Sequence, residues 1–423
     1  MRYIWIDALC IIQDSQQDKD KELAKMATIY ERATLTIIAA SAAGANEGFL
    51  RPKTATRIDL RISYGPADTP GTMLIRTTDN INKAMYKFDD PTETRAWCFQ
   101  ESLLSRKCLI YSSFYLYWTC QEVGYADQDS TTSGDFVGST RFWRRYVYNL
   151  PALLQTQEKN LELSESEYKS IWRLWQEVST EYSRRQISFL SDRLPAISAV
   201  AQRIQDVTGD VYYAGLWRGD FYNALLWGKM PRDVLWTDGD LKIDYPVLPS
   251  RPEEYVAPSW SWLSCRGLIF YRIFNVCPKL KIENVEVELV NDEQLCGAVK
   301  DGSITLTARM GEISVLSQYR QGSYWLGRKK EEGHAEILDH PVAGQRKAWK
   351  AKGFADAKDA MTTGMERLWC LYGGLDVGSK AVGLILKQAD DPKSQFRRVG
   401  SFVALYREVG WFEDAEVRTI RIV

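Results

Sequence analysis

Arg2-Tyr3-Ile4-Trp5-Ile6-Asp7-Ala8-Leu9-Cys10-Ile11-Ile12 opens the chain, and a second apolar run follows at Leu35-Thr36-Ile37-Ile38-Ala39-Ala40. The first run is rich in Ile, Trp and Tyr with few breaks, the pattern of a strand buried on both faces. Gln13-Asp14-Ser15 is a polar stop. From Asp18 the chain turns charged, and Leu23, Met26, Ala27 and Tyr30 recur at i, i+3, i+4 and i+7, one face of a helix. Strand, helix, strand predicts a parallel βαβ unit, with residues 2–12 and 34–40 as neighbouring or near-neighbouring strands and a right-handed crossover between them. Helix 18–32 should pack on the sheet through Leu23, Met26 and Tyr30. Asp7 falls toward the carboxyl half of the first strand, the end at which open α/β sheets gather their sites.

Outward from this unit, Ile58, Leu60 and Ile62 alternate as in an edge strand. Residues 94–105 read as a helix and 107–120 as a hairpin turning near Ser112-Ser113. Together these make an α/β domain over residues 1–125. A helical region follows over 140–235. One helix spans 164–185, and a second spans 191–207 with Ser191 as its N-cap and Ile197, Val200, Ala201 and Ile204 as its buried face. Residues 255–423 are β-rich, with strand patterns at 282–289, 303–308, 381–386 and 402–406. The charged stretch near 322–364 reads as an exposed insertion. Gly373 to Gly378 reads as a hairpin turn, not a phosphate cradle.

The chain has 423 residues, 45% hydrophobic and 26% charged, the balance of a soluble globular protein. A net charge of -1 without a long Lys/Arg run gives no electrostatic footprint for nucleic acid. No stretch approaches the roughly 18 apolar residues that span a bilayer. The start lacks a basic leader and a cleavage site, so the expected location is cytoplasmic. The eight cysteines form no CxxC pair, so no metal site is expected, and the thiols should be reduced and buried. The two histidines, His334 and His340, lie far from Cys10 in the charged stretch. That removes a Cys–His pair and a Ser-His-Asp triad. No P-loop or GxGxxG is present, so no bound cofactor is expected.

Trp5-Ile6-Asp7-Ala8-Leu9-Cys10-Ile11-Ile12-Gln13 resembles the WIDALCIxQ signature of the fungal heterokaryon-incompatibility (HET) family, and Met26, Ile29-Tyr30 and Ala33 resemble its M..IY..A helix. Arg95-Ala96-Trp97-Cys98-Phe99-Gln100-Glu101 resembles a second family block. Asp192-Arg193-Leu194-Pro195-Ala196-Ile197, Tyr213-Ala214-Gly215-Leu216-Trp217 and Ala257-Pro258-Ser259-Trp260-Ser261-Trp262 are similar to stretches that follow HET domains. The resemblance implies a role in non-self recognition, akin to innate immunity, and in programmed cell death. It also implies protein partners, through self-association or an incompatibility partner. The family's domains start with an S-Y-x-W-G-like segment that is not found here ahead of Trp5. Its lack should leave an open edge or cavity and remove any residue it supplies to a site.

Trp97-Cys98-Phe99-Gln100-Glu101-Ser102-Leu103 is also similar to the W-C-x-x-E-L stretch of TIR domains, whose Glu cleaves NAD. That likeness implies a remotely TIR-like fold, NAD as substrate and Glu101 as a catalytic residue; Asp7, from its place in the first strand, is the second candidate catalytic residue, and Trp97, Gln100 and Arg95 are the candidate substrate-binding residues. Two roles fit each acid. Asp7 is either a pocket carboxylate or a structural side chain that bonds loop amides. Glu101, at the edge of an apolar helix face beside Trp97, is either a carboxyl tuned by burial or the partner of Arg95 or Arg106. The non-enzymatic alternative is a death-inducing interaction module whose Trp-rich surfaces bind proteins.

Overall fold

The computed structural model describes residues 2–23, 25–50, 57–64, 71–78, 90–113, 116–120, 124–126, 163–229, 252, 254–271, 277–320, 323–328, 351–355, 367–375, 381–389, 395–404, 412 and 415–423. The chain divides into two compact units, Met1–Glu162 and Leu163–Val423. Helices and strands are mixed, with the strands concentrated in the second unit.

In the first unit the helices are α1 (Asp7–Cys10), α2 (Gln16–Leu23), α3 (Met26–Arg32), α4 (Pro91–Thr94) and α5 (Ala96–Leu104). The strands are β1 (Thr36–Ile38), β2 (Arg57–Tyr64), β3 (Gly71–Thr78), β4 (Lys107–Tyr111), β5 (Leu116–Cys120) and β6 (Gly124–Ala126). A four-stranded sheet runs β1-β4-β5-β6, and β2 pairs only with β3 among the described residues. β1 and β4 are parallel; β4, β5 and β6 are antiparallel. A parallel crossover therefore exists, but it joins β1 to β4 with α5 in the connection.

The expected parallel strand at 2–12 is not formed. The segment is extended to Ile6 and then turns through α1. Its backbone donors go to turn carbonyls: the Leu9 and Cys10 amides both reach the Ile6 carbonyl, at 2.9 and 2.8 Å. The Asp7 carboxylate takes the Ala8 amide at 2.8 Å. A short polar side chain that captures nearby amides competes with a sheet ladder, and here it wins. The apolar residues are left outside, with Tyr3 92% and Leu9 79% exposed. Cys10 is exposed too, against the expectation of burial. The expected helix 18–32 is two segments, α2 and α3, with Lys25 as the entry to the second. Met26 is buried and Tyr30 half-buried; the Leu23 side chain lies outside the described residues.

In the second unit, α6 (Glu165–Ser183) opens on a capping box in which Ser164 and Glu167 satisfy each other's amides. Its neighbour α7 (Pro195–Thr208) has Ile197, Val200, Ala201 and Ile204 fully buried, as their spacing predicts. Ser191 does not cap it. A 3-10 turn, Leu190–Arg193, comes first and Pro195 starts the helix, where its missing N–H costs nothing.

β7 (Tyr212–Tyr213) and β8 (Leu216–Trp217) form a tight hairpin over Ala214 and Gly215, both at positive φ. The Gly215 carbonyl accepts the indole N–H of Trp175 and of Trp262, each at 2.9 Å. Ser261 donates to the Ala214 carbonyl, Tyr182 to that of Arg193 at 2.7 Å, and Arg193 to that of Cys265. The three later sequence stretches thus close into one knot, and Trp260 and Trp262 are wholly buried core residues. A Cβ on Gly215 would sit 2.7 Å from the Trp262 indole nitrogen.

A short pair, β9 (Gly228–Lys229) and β10 (Ile269–Phe270), precedes a nine-stranded sheet. Its strands are β11 (Cys277–Pro278), β12 (Lys281–Leu289), β13 (Val299–Arg320), β14 (Ser323–Arg328), β15 (Ala351–Ala355), β16 (Leu368–Leu375), β17 (Ala381–Gln388), β18 (Gln395–Ala404) and β19 (Glu416–Ile422). The path β13-β14-β15-β18-β17-β16 returns to β13 through Met310–Ile313 against Leu368–Leu371, which closes a barrel. The charged stretch near 322–364 supplies β14 and β15 to that ring; 329–350 and 356–366 lie outside the described residues. Of the hairpin turn expected at Gly373 to Gly378, Gly373 and Gly374 lie within β16, and residues 376–378 lie outside the described residues.

Candidate functional site

The site forms where α3 and α5 of the first unit pack together, with Asp7 of α1 acting on it through its charge. α5 buries Ala96, Phe99, Gln100, Leu103 and Leu104, which leaves Glu101 at the rim of that face, half-buried. α5 is anchored at its carboxyl end: Ser105 donates to the Glu101 carbonyl at 2.7 Å and pairs with the Thr36 hydroxyl of β1 at 2.7 Å. The Glu101 backbone is therefore fixed to the sheet.

Across the α3–α5 contact, the Tyr30 phenol donates to the Glu101 carboxylate. The Trp5 and Tyr30 rings meet edge-on, centroids 5.7 Å apart. Such a T-shaped pair fixes ring orientation beyond what area burial does. Asp7 bears on both Glu101 and Tyr30 through its charge. The α1 turn that carries Asp7 is clamped by Gln13, whose amide donates to the Asp7 and Ile11 carbonyls at 3.2 and 3.0 Å. The Ile12 amide is taken by Asp18 at 2.9 Å. Trp5, Asp7 and Gln13 of the opening run thus have distinct tasks: bracing Tyr30, charging the site, and holding the turn.

The electrostatics follow from this packing. Burial is the largest influence on Glu101 and the Asp7 charge adds to it; Arg95 and the Tyr30 hydrogen bond oppose them. The net effect pushes the Glu101 carboxyl up to about 7. Tyr30 is raised well above the usual phenol range by burial, then by the charges of Glu101, Asp7 and Cys98. A carboxyl that gains and loses its proton near neutrality suits acid–base or electrostatic work.

Of the residues the sequence singles out, the structure brings Asp7, Arg95 and Glu101 into one electrostatic group. Gln100 is buried and Trp97 half-buried on the same helix. Asp7 also bonds the Ala8 amide, so its structural role and its place beside Glu101 coexist. Tyr30 and Trp5 are the residues that sequence reasoning missed. Tyr30 reads as packing from its helical spacing, and the signal for more is its polar tip on an otherwise apolar face. Among the described residues, no group of three or more His, Cys, Asp or Glu side chains could hold a metal ion, and no helix is long and apolar enough to cross a membrane.

The model of the family described as Heterokaryon incompatibility protein (HET) matches residues 1–101, a span that ends on Glu101. No curated protein and no solved structure matches the chain. The match over residues 1–101 is consistent with a heterokaryon-incompatibility family protein.

Proposed function

We propose that this protein acts in non-self recognition and regulated cell death in the cytoplasm, and that its HET domain does so by hydrolysing NAD at a TIR-like site. One observation carries the enzymatic part: Glu101 and Asp7, far apart in sequence, share one charged cluster in which the Glu101 carboxyl is raised to about 7. Cleavage of the nicotinamide–ribose bond passes through an oxocarbenium-like state that a carboxylate stabilises. Water oxygen bonds to the ribose C1′ as the C1′–N bond breaks. The bonding pair leaves with nicotinamide, which departs neutral and needs no acid. The water proton passes to the Glu101 carboxylate and then to solvent. Asp7 shapes the pocket, while Trp97, Gln100 and Arg95 bind substrate.

The test is incubation of the purified chain with NAD and measurement of nicotinamide. Release should rise with pH, with a midpoint near 7, because the ionised carboxylate is the active form. Asp7→Asn removes a charge that raises the Glu101 pKa, so the midpoint should move down; Arg95→Gln removes an opposing charge and should move it up. Midpoints that stay put in both variants would separate Glu101 from the chemistry.

A second reading, a death-inducing module without chemistry, has its own observation. Tyr3, Ile4, Ile6, Leu9 and Ile12 form an exposed apolar segment next to the site, and contiguous apolar surface marks protein–protein contacts. Under that reading Glu101→Gln leaves cell killing intact.

A further inference from the structure

We infer that Tyr30 is a positioning residue of the Glu101 site, gripping the carboxylate across the α3–α5 contact while Trp5 braces its ring. The inference rests on the NAD reading only for its activity arm. Three observations meet at Tyr30. Its phenol donates to Glu101, and its ring is locked edge-on by Trp5 at 5.7 Å. It also sits on a helix packed directly against the one that carries Glu101. Ser105 and Thr36 fix the Glu101 backbone. Its carboxylate needs a side-chain partner to hold one rotamer, and Tyr30 supplies a single donor aimed from a rigid ring.

The charged and titratable groups that act on this pair are Asp7 from α1, Arg95 at the start of α5 and Cys98 on α5. Asp7 and Arg95 act on the pair through their charges. Tyr30 steadies the ionised carboxylate through a hydrogen bond and adds no formal charge. A donor to the ionised form favours ionisation, so the bond sets both where the carboxylate points and when it is charged.

The experiment titrates Glu101 directly, by carbon NMR of glutamate-labelled full-length protein, with Glu101→Gln identifying the signal. Tyr30→Phe keeps the ring against Trp5 and deletes the donor. The Glu101 midpoint should rise by about one to two pH units, the size of one hydrogen bond to a charged group. Site-specific 3-fluorotyrosine at position 30 makes a stronger donor and should move the midpoint the other way. Opposite shifts support the assignment. An unmoved midpoint, or two shifts in the same direction, overturns it. If nicotinamide release is absent in every form while the midpoints shift as expected, the NAD reading fails and the role of Tyr30 stands. If release is present, Tyr30→Phe should lower kcat more than it changes KM.

Discussion

Glu101→Gln is expected to lower nicotinamide release by about 10²- to 10⁴-fold, the range for a positioned acid–base group, and at the same time to stabilise the first unit above neutral pH. The two effects have one cause. Gln keeps the volume and accepts the Tyr30 hydrogen bond, but it carries no charge to bury. In the folded unit the Glu101 pKa is raised from 4.5 to about 7, chiefly by burial. A group whose folded pKa is raised contributes its full stability below the unfolded value and loses it as pH rises through the folded one. The wild-type unit should therefore weaken between about pH 4.5 and 7. The difference is at most about 3 kcal/mol, reduced by solvent at the open side of the carboxyl. Glu101→Gln should lack that limb. Thermal melts at pH 5 and pH 8, read beside nicotinamide release, check both halves. A variant that is inactive and also less stable at pH 8 would mean a broken fold rather than a lost carboxylate.

The second large effect is expected in the other unit. Gly383→Ala should abolish or severely weaken the closed barrel, by about 3 kcal/mol or more. A Cβ on Gly383 would stand 2.0 Å from the Leu371 carbonyl oxygen and 2.9 Å from the Gly373 amide nitrogen, both backbone atoms of β16. It would also meet the Phe402 ring at 2.8 Å. No side-chain rearrangement relieves a clash with a paired strand's backbone, so β16 and β17 must separate. The core cluster containing Leu368, Cys370, Tyr372, Ile385, Phe402 and Phe412 spans that pair. Circular dichroism and a melting scan of the unit should show lost strand signal. An unchanged melt would mean that β16 and β17 pair less closely than they do here.

Local patterns in the sequence were legible where a stretch carries its own partner. The hairpin at 107–120, the buried face of α7 and the strands at 282–289 and 381–386 all follow from spacing within a few residues. Residues 2–12 misled because an apolar run does not say whether a neighbouring strand is available, and Asp7 spends its carboxylate on the turn. Ring closure was invisible for a different reason. The pairing of β13 with β16 links distant residues, and charged sequence masks β14 and β15. At the site, the helix spacing placed Glu101 at the edge of a buried face. Its true neighbour, Tyr30, comes from another helix and no local period reveals it.

β13 pairs with β12, β14, β16 and β19, partners spread from Lys281 to Ile422. Such sequence-distant pairing makes folding slow, and β13 cannot be fully flanked until residues 416–422 have been made. At ribosomal rates, the roughly 260 residues between the end of the first unit and that strand take on the order of ten to fifty seconds to synthesise. The first unit is thus synthesised well before the barrel can close. Every newly made copy passes through a period in which the first unit is present and the second is not, and a message cut short after residue 162 would prolong that period indefinitely.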